Sequence, residues 1–422
     1  MDILGTKHST GVTTEGHRIS LYQRDGFPIY VRITFSCGSR FDPVGKAGLA
    51  HLYEHMVLTG TKTFPSKDKI TDELQQYGGG IHASTSKEGI NINLAVADPI
   101  DLPQITKIYK SLFTEQVFDP EVFKNEREVV LVELMNREQK STITVGDLFQ
   151  EVCFSNSSLS RNAIGSIESI NSVTIDDIAD FHKKVISSPA NIVISGGVSI
   201  DEAEQGFSNI GLQANDAKEN SKESAVQIGG KVSIKKTSEQ IIQMIFGFRT
   251  NSLGSPDFYN LEIASDIIGG GRSSLLMKKL RYEAGLVYGA SSSQISFSDV
   301  GAWGVSTATP KKNLAKVVGL ICEILREIRT NGFSAEQIEK SKNKMLKTKR
   351  YSLQSSESWV DLHTNKTNPT NNSDNCYNYI EQIQKTALEG INQIVKKYFV
   401  ADNWYLALVG DVDEGEVKVN LS

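Results

Sequence analysis

The segment Ile90 to Val96 alternates strictly, with Ile90, Ile92, Leu94 and Val96 on one side and Asn91, Asn93 and Ala95 on the other. Period-two alternation predicts a half-buried strand of an antiparallel sheet whose helices lie on a single face. Tyr77-Gly78-Gly79-Gly80 predicts the turn into the strand before it, over about Ile81 to Ser86. Other windows carry the helical period. Asp176 to Lys184 and Glu389 to Tyr398 are amphipathic, and helices are also expected near 47–58 and 256–268. Phe123 to Arg137 is a longer helical pattern, and its run Val129-Val130-Leu131-Val132 predicts a largely buried helix.

These elements recur in order. The helix 176–184 is followed by Ser188-Pro189-Ala190 and a strand, Asn191 to Ser195, ending at Gly196-Gly197. The helix 389–398 is followed by Ala401-Asp402 and a strand, Asn403 to Leu408, ending at Gly410. The offset is 213 residues from Asp176 to Glu389 and 212 from Asn191 to Asn403. Earlier, the strand Ile29 to Phe35 precedes the helix near 47–58, as Ile241 to Phe248 precedes the one near 256–268. One repeated order at one offset implies a duplicated domain of ~210 residues. The polar stretch Ala214 to Ala225, without apolar periodicity, reads as the linker. The expected fold is therefore α+β. It comprises two homologous domains, 1–213 and 226–422, joined by 214–225, each a largely antiparallel sheet with helices packed on one face.

Composition narrows the setting. The 422 residues are 39% hydrophobic and 23% charged, which excludes disorder as the dominant state. A net charge of -5 and the lack of a basic stripe argue against nucleic-acid binding. The longest apolar stretch, Val317 to Leu325, is interrupted by Gly and Glu and falls short of the ~18 residues of a membrane span. The first eleven residues have no apolar core of a secretory signal. Cys37, Cys153, Cys322 and Cys376 lie far apart and read as reduced, buried thiols. A cytoplasmic location is expected.

The chemistry lies in His51-Leu52-Tyr53-Glu54-His55, inside a helical window from about Ala47 to Leu58 with Gly60 as its stop. Residues i and i+4 share a helix face, so both imidazoles can reach one Zn²⁺ at ~2.0–2.1 Å. Glu54 lies on nearly the same face, near enough to contact a metal-held water without being a ligand. This H-x-x-E-H spacing is the inverted zinc-peptidase motif. In a chain with seven His, such a match arises by chance on the order of 0.01 times. A catalytic zinc takes a third protein ligand and keeps one position open. Glu126 and Glu133, two turns apart on one face of the 123–137 helix, are both candidates, and Glu128 reads as a solvated charge.

With these residues assembled, the chain resembles the M16, pitrilysin-like zinc metallopeptidases, whose pattern is H-x-x-E-H followed by a Glu ~76–78 residues later within E-x6-E. Glu133 lies 78 residues after His55 and seven after Glu126. The resemblance implies Glu133 as third ligand and Glu126 as the acid supporting the site. It spans nearly the whole chain. Gly45 to Leu49, Gly60-Thr61 and Phe64-Pro65 flank the motif, and Gly78-Gly79 precedes Ala83-Ser84-Thr85-Ser86. Asn162 to Ile170, Gly269-Gly270-Gly271 and Ser273 to Leu275 are similar to further family elements. Arg281, Glu283, Gly285, Leu286 and Tyr288 match R-x-E-x-G-L-x-Y, whose Arg/Tyr pair reaches the catalytic cleft from the second domain. The second half lacks H-x-x-E-H, which implies one catalytic and one partner domain. Two departures stand out. His82 occupies the place of a usual Asn, which implies a tolerated swap, an altered substrate preference or a stray metal contact. Ser157 to Ser160 replaces a His-Pro-containing run.

The resemblance implies the fold of the processing-peptidase-like metallohydrolases, one Zn²⁺ per chain on His51, His55 and Glu133, and a peptide substrate. Glu54 is the implied general base, Tyr288 the oxyanion donor, and Arg281 the group holding a substrate carbonyl or carboxylate. His82, Ala83 and Ser84 lie on the strand expected to receive an extended peptide. Longer members of the family carry about twice this many residues in one chain, so a homodimer is expected, with a heterodimer with an inactive paralogue as the alternative. A non-catalytic scaffold and a peptide-sequestering protein are the remaining readings, and turnover assays separate them.

Overall fold

The computed structural model describes residues 4–213, 229–366, 375–413 and 415–421, so the expected linker 214–225 lies outside the described residues. Two sheets organise the chain. The first contains β1 (Lys7–Val12), β2 (Arg18–Gln23), β3 (Ile29–Phe35), β4 (Gly80–Thr85), β5 (Ile90–Val96) and β6 (Ala190–Gly196), in the order β1-β2-β6-β3-β5-β4. The second contains β7 (Lys231–Lys236), β8 (Ile241–Thr250), β9 (Ala290–Ser296), β10 (Gly301–Pro310) and β11 (Trp404–Gly410), in the order β7-β11-β8-β10-β9. Around them run α1 (Leu49–Val57), α2 (Lys67–Gln75), α3 (Leu102–Thr114), α4 (Pro120–Glu138), α5 (Ser141–Cys153), α6 (Ile167–Ser172), α7 (Ile175–Ile186) and α8 (Ile200–Phe207). The later helices are α9 (Asp257–Gly269), α10 (Leu314–Asn331), α11 (Ala335–Ser352), α12 (Ser356–Lys366), α13 (Cys376–Lys385) and α14 (Leu388–Tyr398).

The five strands β2-β6-β3-β5-β4 and β7-β11-β8-β10-β9 follow the same path. Each set begins with one parallel pair, β2 with β6 and β7 with β11, and continues antiparallel. The paired elements of the sequence repeat thus occupy equivalent positions, and the fold is α+β with largely antiparallel sheets.

The chain divides into two compact units that are not contiguous in sequence. One holds Met1–Met135, Arg161–Ser221 and Arg350–Pro369; the other holds Asn136–Ser160, Lys222–Lys349 and Thr370–Ser422. In the first unit, Ile29, Val31, Ile33 and Phe35 of β3 join Ile90, Ile92 and Leu94 of β5 in a core closed by Leu52, Tyr53 and Met56 of α1 and by Ile105, Ile108 and Leu112 of α3. The alternation of β5 is observed as expected, with its apolar side fully buried. The opposite, polar face of this sheet is also covered. Tyr22 and Trp359 of α12 pack with ring centroids 5.3 Å apart, and Arg32 of β3 pairs with Asp361 at 2.8 Å. In the second unit, α5 covers the corresponding face, where Val145 and Phe149 meet Tyr405, Ala407 and Val409 of β11. On the other side, Phe399 packs 4.6 Å from Trp303 and 4.8 Å from Phe248. Each sheet therefore carries its main helices on one face and one helix from the other half of the sequence on the other.

The helix over 123–137 is not largely buried. Only Phe123, Val130 and Leu134 of α4 are buried, whereas Val129, Val132 and Met135 are about half exposed. The apolar run spans four consecutive residues, so helical rotation carries half of it away from the core. All four cysteines are buried. Among the described residues, no helix is long and apolar enough to cross a membrane.

Candidate metal centre

The helix α1 begins abruptly. Its cap, Gly48, sits at φ +91, a conformation glycine adopts at little cost, and a Cβ there would collide with the Ile164 carbonyl. Gly48 has no side chain to cap the first turn. Asp42 supplies that function from a distance, accepting hydrogen bonds from Gly48 N–H at 2.8 Å and Ala50 N–H at 3.0 Å. Burial pushes the Asp42 carboxyl up to about 6, against the opposing pull of those backbone donors. Leu49, Leu52, Tyr53 and Met56 anchor the helix in the core, with Tyr53 Oη 2.9 Å from His182 Nδ1 of α7. Anchoring that face directs His51, Glu54 and His55 to the other side.

There the imidazoles of His51 and His55 meet, ring centroids 4.9 Å apart, facing α4. Glu133 Oε2 lies 3.2 Å from His51 Nε2 and 3.7 Å from His55 Nε2. A tetrahedral site with bonds of ~2.0–2.1 Å has edges of roughly 3.4 Å, so both separations suit ligands of one ion. Among the described residues, His51, His55 and Glu133 form the one group of such side chains whose ligand atoms lie within 4.8 Å of one another. Two imidazole nitrogens and one carboxylate are the donor set of an open, three-ligand zinc site, so the residues present fit that metal.

The remaining acids take different places. Glu126 Oε2 lies 3.0 Å from Nδ1 of His55 and so meets the nitrogen turned away from Glu133. That contact favours a proton on Nδ1 and a free lone pair on Nε2. Glu54 Oε2 lies 3.4 Å from His51 Nδ1. Burial opposes ionisation of Glu54, but hydrogen bonds with His51 and Thr85 and the field of the two histidines outweigh it and hold its carboxyl below the ordinary value. His51 is likewise shifted up: burial opposes its charge, and the carboxylates of Glu54 and Glu133 prevail. Glu128 is exposed, as its spacing predicts.

The strand β4 lies beside α1, with Thr85 Oγ1 3.4 Å from the Ala50 carbonyl. It ends its sheet, pairing with β5 alone among the described strands. Its His82 is exposed and is not one of the three metal-group residues, Ala83 points into the core, and the Ser84 hydroxyl accepts from Asn91 at 3.2 Å. The His82 side chain stands on the solvent side of the strand.

Arg281 and Tyr288 lie in the second compact unit. Arg281 belongs to a π-helical turn, Met277–Glu283, and Tyr288 follows Gly285 at φ +64. Arg281 Nη1 donates to the Tyr288 carbonyl at 2.6 Å, and its guanidinium lies 4.7 Å from the centroid of the Tyr288 ring. Tyr288 is 88% exposed.

Two family models cover most of the chain. The insulinase model (peptidase family M16) matches residues 28–166, and the model described as the peptidase M16 inactive domain matches residues 172–345. The chain is 25% identical over 385 residues to the uncharacterized zinc protease YmxG of Bacillus subtilis, covering 90% of this chain and 92% of that protein. It is 23% identical over 360 residues to the beta subunit of the mitochondrial-processing peptidase of Dictyostelium discoideum, covering 80% and 75%. A peptidase M16 inactive domain from Pseudomonas fluorescens has the same fold, with a TM-score of 0.87 at 16% identity over 96% of this chain and 98% of that one. A protease from Helicobacter pylori gives 0.85 at 18% identity over 96% and 99%.

Proposed function

The chain belongs to the M16 peptidase family, and from that premise we propose that it is a zinc-dependent endopeptidase acting on short or unfolded peptides. One observation carries the reading: both imidazole Nε2 atoms converge on the Glu133 carboxylate, with the ionised Glu54 on the same helix face. His51, His55 and Glu133 would hold one zinc ion per chain, which when bound would supply Lewis acidity to a water and a scissile carbonyl.

The chain's own residues do the rest. Glu54 takes the proton of the attacking water on a carboxylate oxygen and passes it to the leaving amine. Glu126 keeps His55 in the tautomer that offers Nε2. The open edge of β4, with His82, Ala83 and Ser84, receives an extended peptide backbone, which favours unfolded segments over folded proteins. From the second unit, Tyr288 donates a hydrogen bond from its phenol to the oxyanion and Arg281 holds a substrate carbonyl or carboxylate. The domain of residues 1–213 is then catalytic, and 226–422 supplies the Arg/Tyr pair.

The homodimer remains our reading of the oligomeric state. That one relative is by its name a subunit supports a second reading, activity only with a partner chain. Four buried cysteines, far apart in the sequence, support a reducing compartment, the cytoplasm. Incubation with a mixed peptide library, followed by mass spectrometry, tests the activity. New cleavage products are expected from the native chain, none from Glu54→Gln with zinc retained, and a fall mainly in kcat from Tyr288→Phe. Equal cleavage by Glu54→Gln would remove the general base from this account.

A further inference from the structure

The second compact unit contains a cleft of about 430 Å³ whose lining includes Arg272, Arg281, Tyr288, Gly271 and Ser291. It is a shallow cleft, open to solvent. Its charge is one-sided. Two guanidiniums line it and no Asp or Glu does. The acids nearest in sequence are already engaged: Asp266 pairs with Lys344 at 2.7 Å and accepts from Ser341 at 2.6 Å, and Glu283 pairs with Lys279 at 3.5 Å. Arg272 makes no hydrogen bond or ion pair among the described residues. Arg281 uses one of its five N–H donors on the Tyr288 carbonyl.

The backbone sets where the exposed Arg272 leaves the chain. Lys344 Nζ also donates to the Gly270 carbonyl at 2.5 Å, which ties the glycine turn to α11. Gly271, at φ +102, reverses the chain so that Arg272 enters the lining. Ala290 and Ser291 of β9 line the same cleft, with the Ala290 N–H donating to Met277 Sδ at 3.4 Å.

We propose that this cleft selects peptide segments bearing a carboxylate, with Arg272 as a specificity-determining residue beside Arg281. The proposal rests on the reading that Arg281 and Tyr288 engage the substrate. A guanidinium fork matches a carboxylate bidentately, so a cleft lined by two guanidiniums and no acid favours a peptide that bears one. The carboxylate belongs to an Asp or Glu side chain or to the peptide's C-terminus.

Fluorescence anisotropy with the zinc-loaded, full-length Glu54→Gln chain tests this without turnover. The probes are dye-labelled decapeptides identical except for one central Glu or Gln, each made with a free or an amidated C-terminus. At low salt the carboxylate-bearing member of at least one pair binds roughly fivefold tighter, the size expected of solvent-exposed pairing, and the gap narrows as salt rises. A gap in the amidated Glu/Gln pair assigns the cleft to side chains; a gap only between free and amidated ends assigns it to the C-terminus. Arg272→Gln brings the ratio toward one. Equal affinities across all four peptides, or a ratio undiminished in Arg272→Gln, overturn the proposal. Cleavage of the Gln peptide by the native chain without any carboxylate preference would sink this inference alone. A carboxylate preference without cleavage would sink the peptidase reading and leave the cleft.

Discussion

Glu126 and Glu133 illustrate what one residue's neighbours decide. Seven positions apart, both fall on one helix face, and spacing leaves either free to be the third ligand. Their separation along α4 carries each to a different nitrogen: Glu133 lies by Nε2 of both histidines, Glu126 by Nδ1 of His55. The proposed metal-facing role of Glu133 and orienting role of Glu126 rest on that difference. Glu126→Gln therefore leaves the three donor atoms intact but weakens the preference for the right tautomer. Zinc affinity, read by competition with a chromogenic chelator, is expected to fall ~10–100-fold. An unchanged affinity would make Glu126 a bystander. Asp42 was not legible at this scale. The cap position of α1 is a glycine, and the carboxylate that completes the first turn lies six residues earlier, outside any local capping pattern.

At the scale of elements, the strands and their neighbouring helices were legible because one side of each is plainly apolar. The periodicity of β5 and the repeated strand-and-helix order around β3 and β8 needed no tertiary information. The covering of the opposite face did not announce itself. Tyr22, Arg32 and Ser195 make that side of the first sheet look like a solvent face, and α12 is itself polar. Burial there is made tolerable by pairing: Arg32 reaches both Asn93 and Asp361, and Tyr22 Oη lies 2.7 Å from His363 Nδ1. His363 and His8, on either side of Tyr22, pay for burial in their titration. Burial, aided by Arg18, lowers His8 to about 4 and His363 to about 3. Both are neutral in the folded chain, while the unfolded chain takes up protons near the ordinary histidine value of ~6.5. Their contribution to stability is thus full above that value and is lost as pH falls through 6.5 toward 4 and then 3. Thermal midpoints measured from pH 7 to 4.5 are expected to drop, and His363→Gln is expected to flatten the drop. A pH-independent midpoint would refute the linkage.

For the whole molecule, the duplication was legible from the ~212-residue offset, and the matching strand orders give it a structural form. The interleaving of the compact units was not. Local patterns report which residues form a helix, but not that α5 and α12 each pack on the sheet of the other sequence half. The same duplication frames the proposed assembly. One half carries the proposed zinc ligands and the other the Arg/Tyr pair, so each chain holds one set of each, and in the proposed assembly two chains would enclose a peptide. Sedimentation velocity at micromolar concentration is expected to give two chains per particle; a monomer that remains active would contradict that assembly.

The central claim is that His51, His55 and Glu133 hold a metal on which peptide hydrolysis depends. Its most direct measurement is the initial cleavage rate of a peptide substrate as zinc is titrated into the chelator-stripped chain. The account predicts a rate near zero without metal that rises to a plateau at one zinc per chain, and a flat background for Glu54→Gln at the same zinc occupancy. A rate that is independent of added zinc, or that Glu54→Gln reproduces, would contradict it.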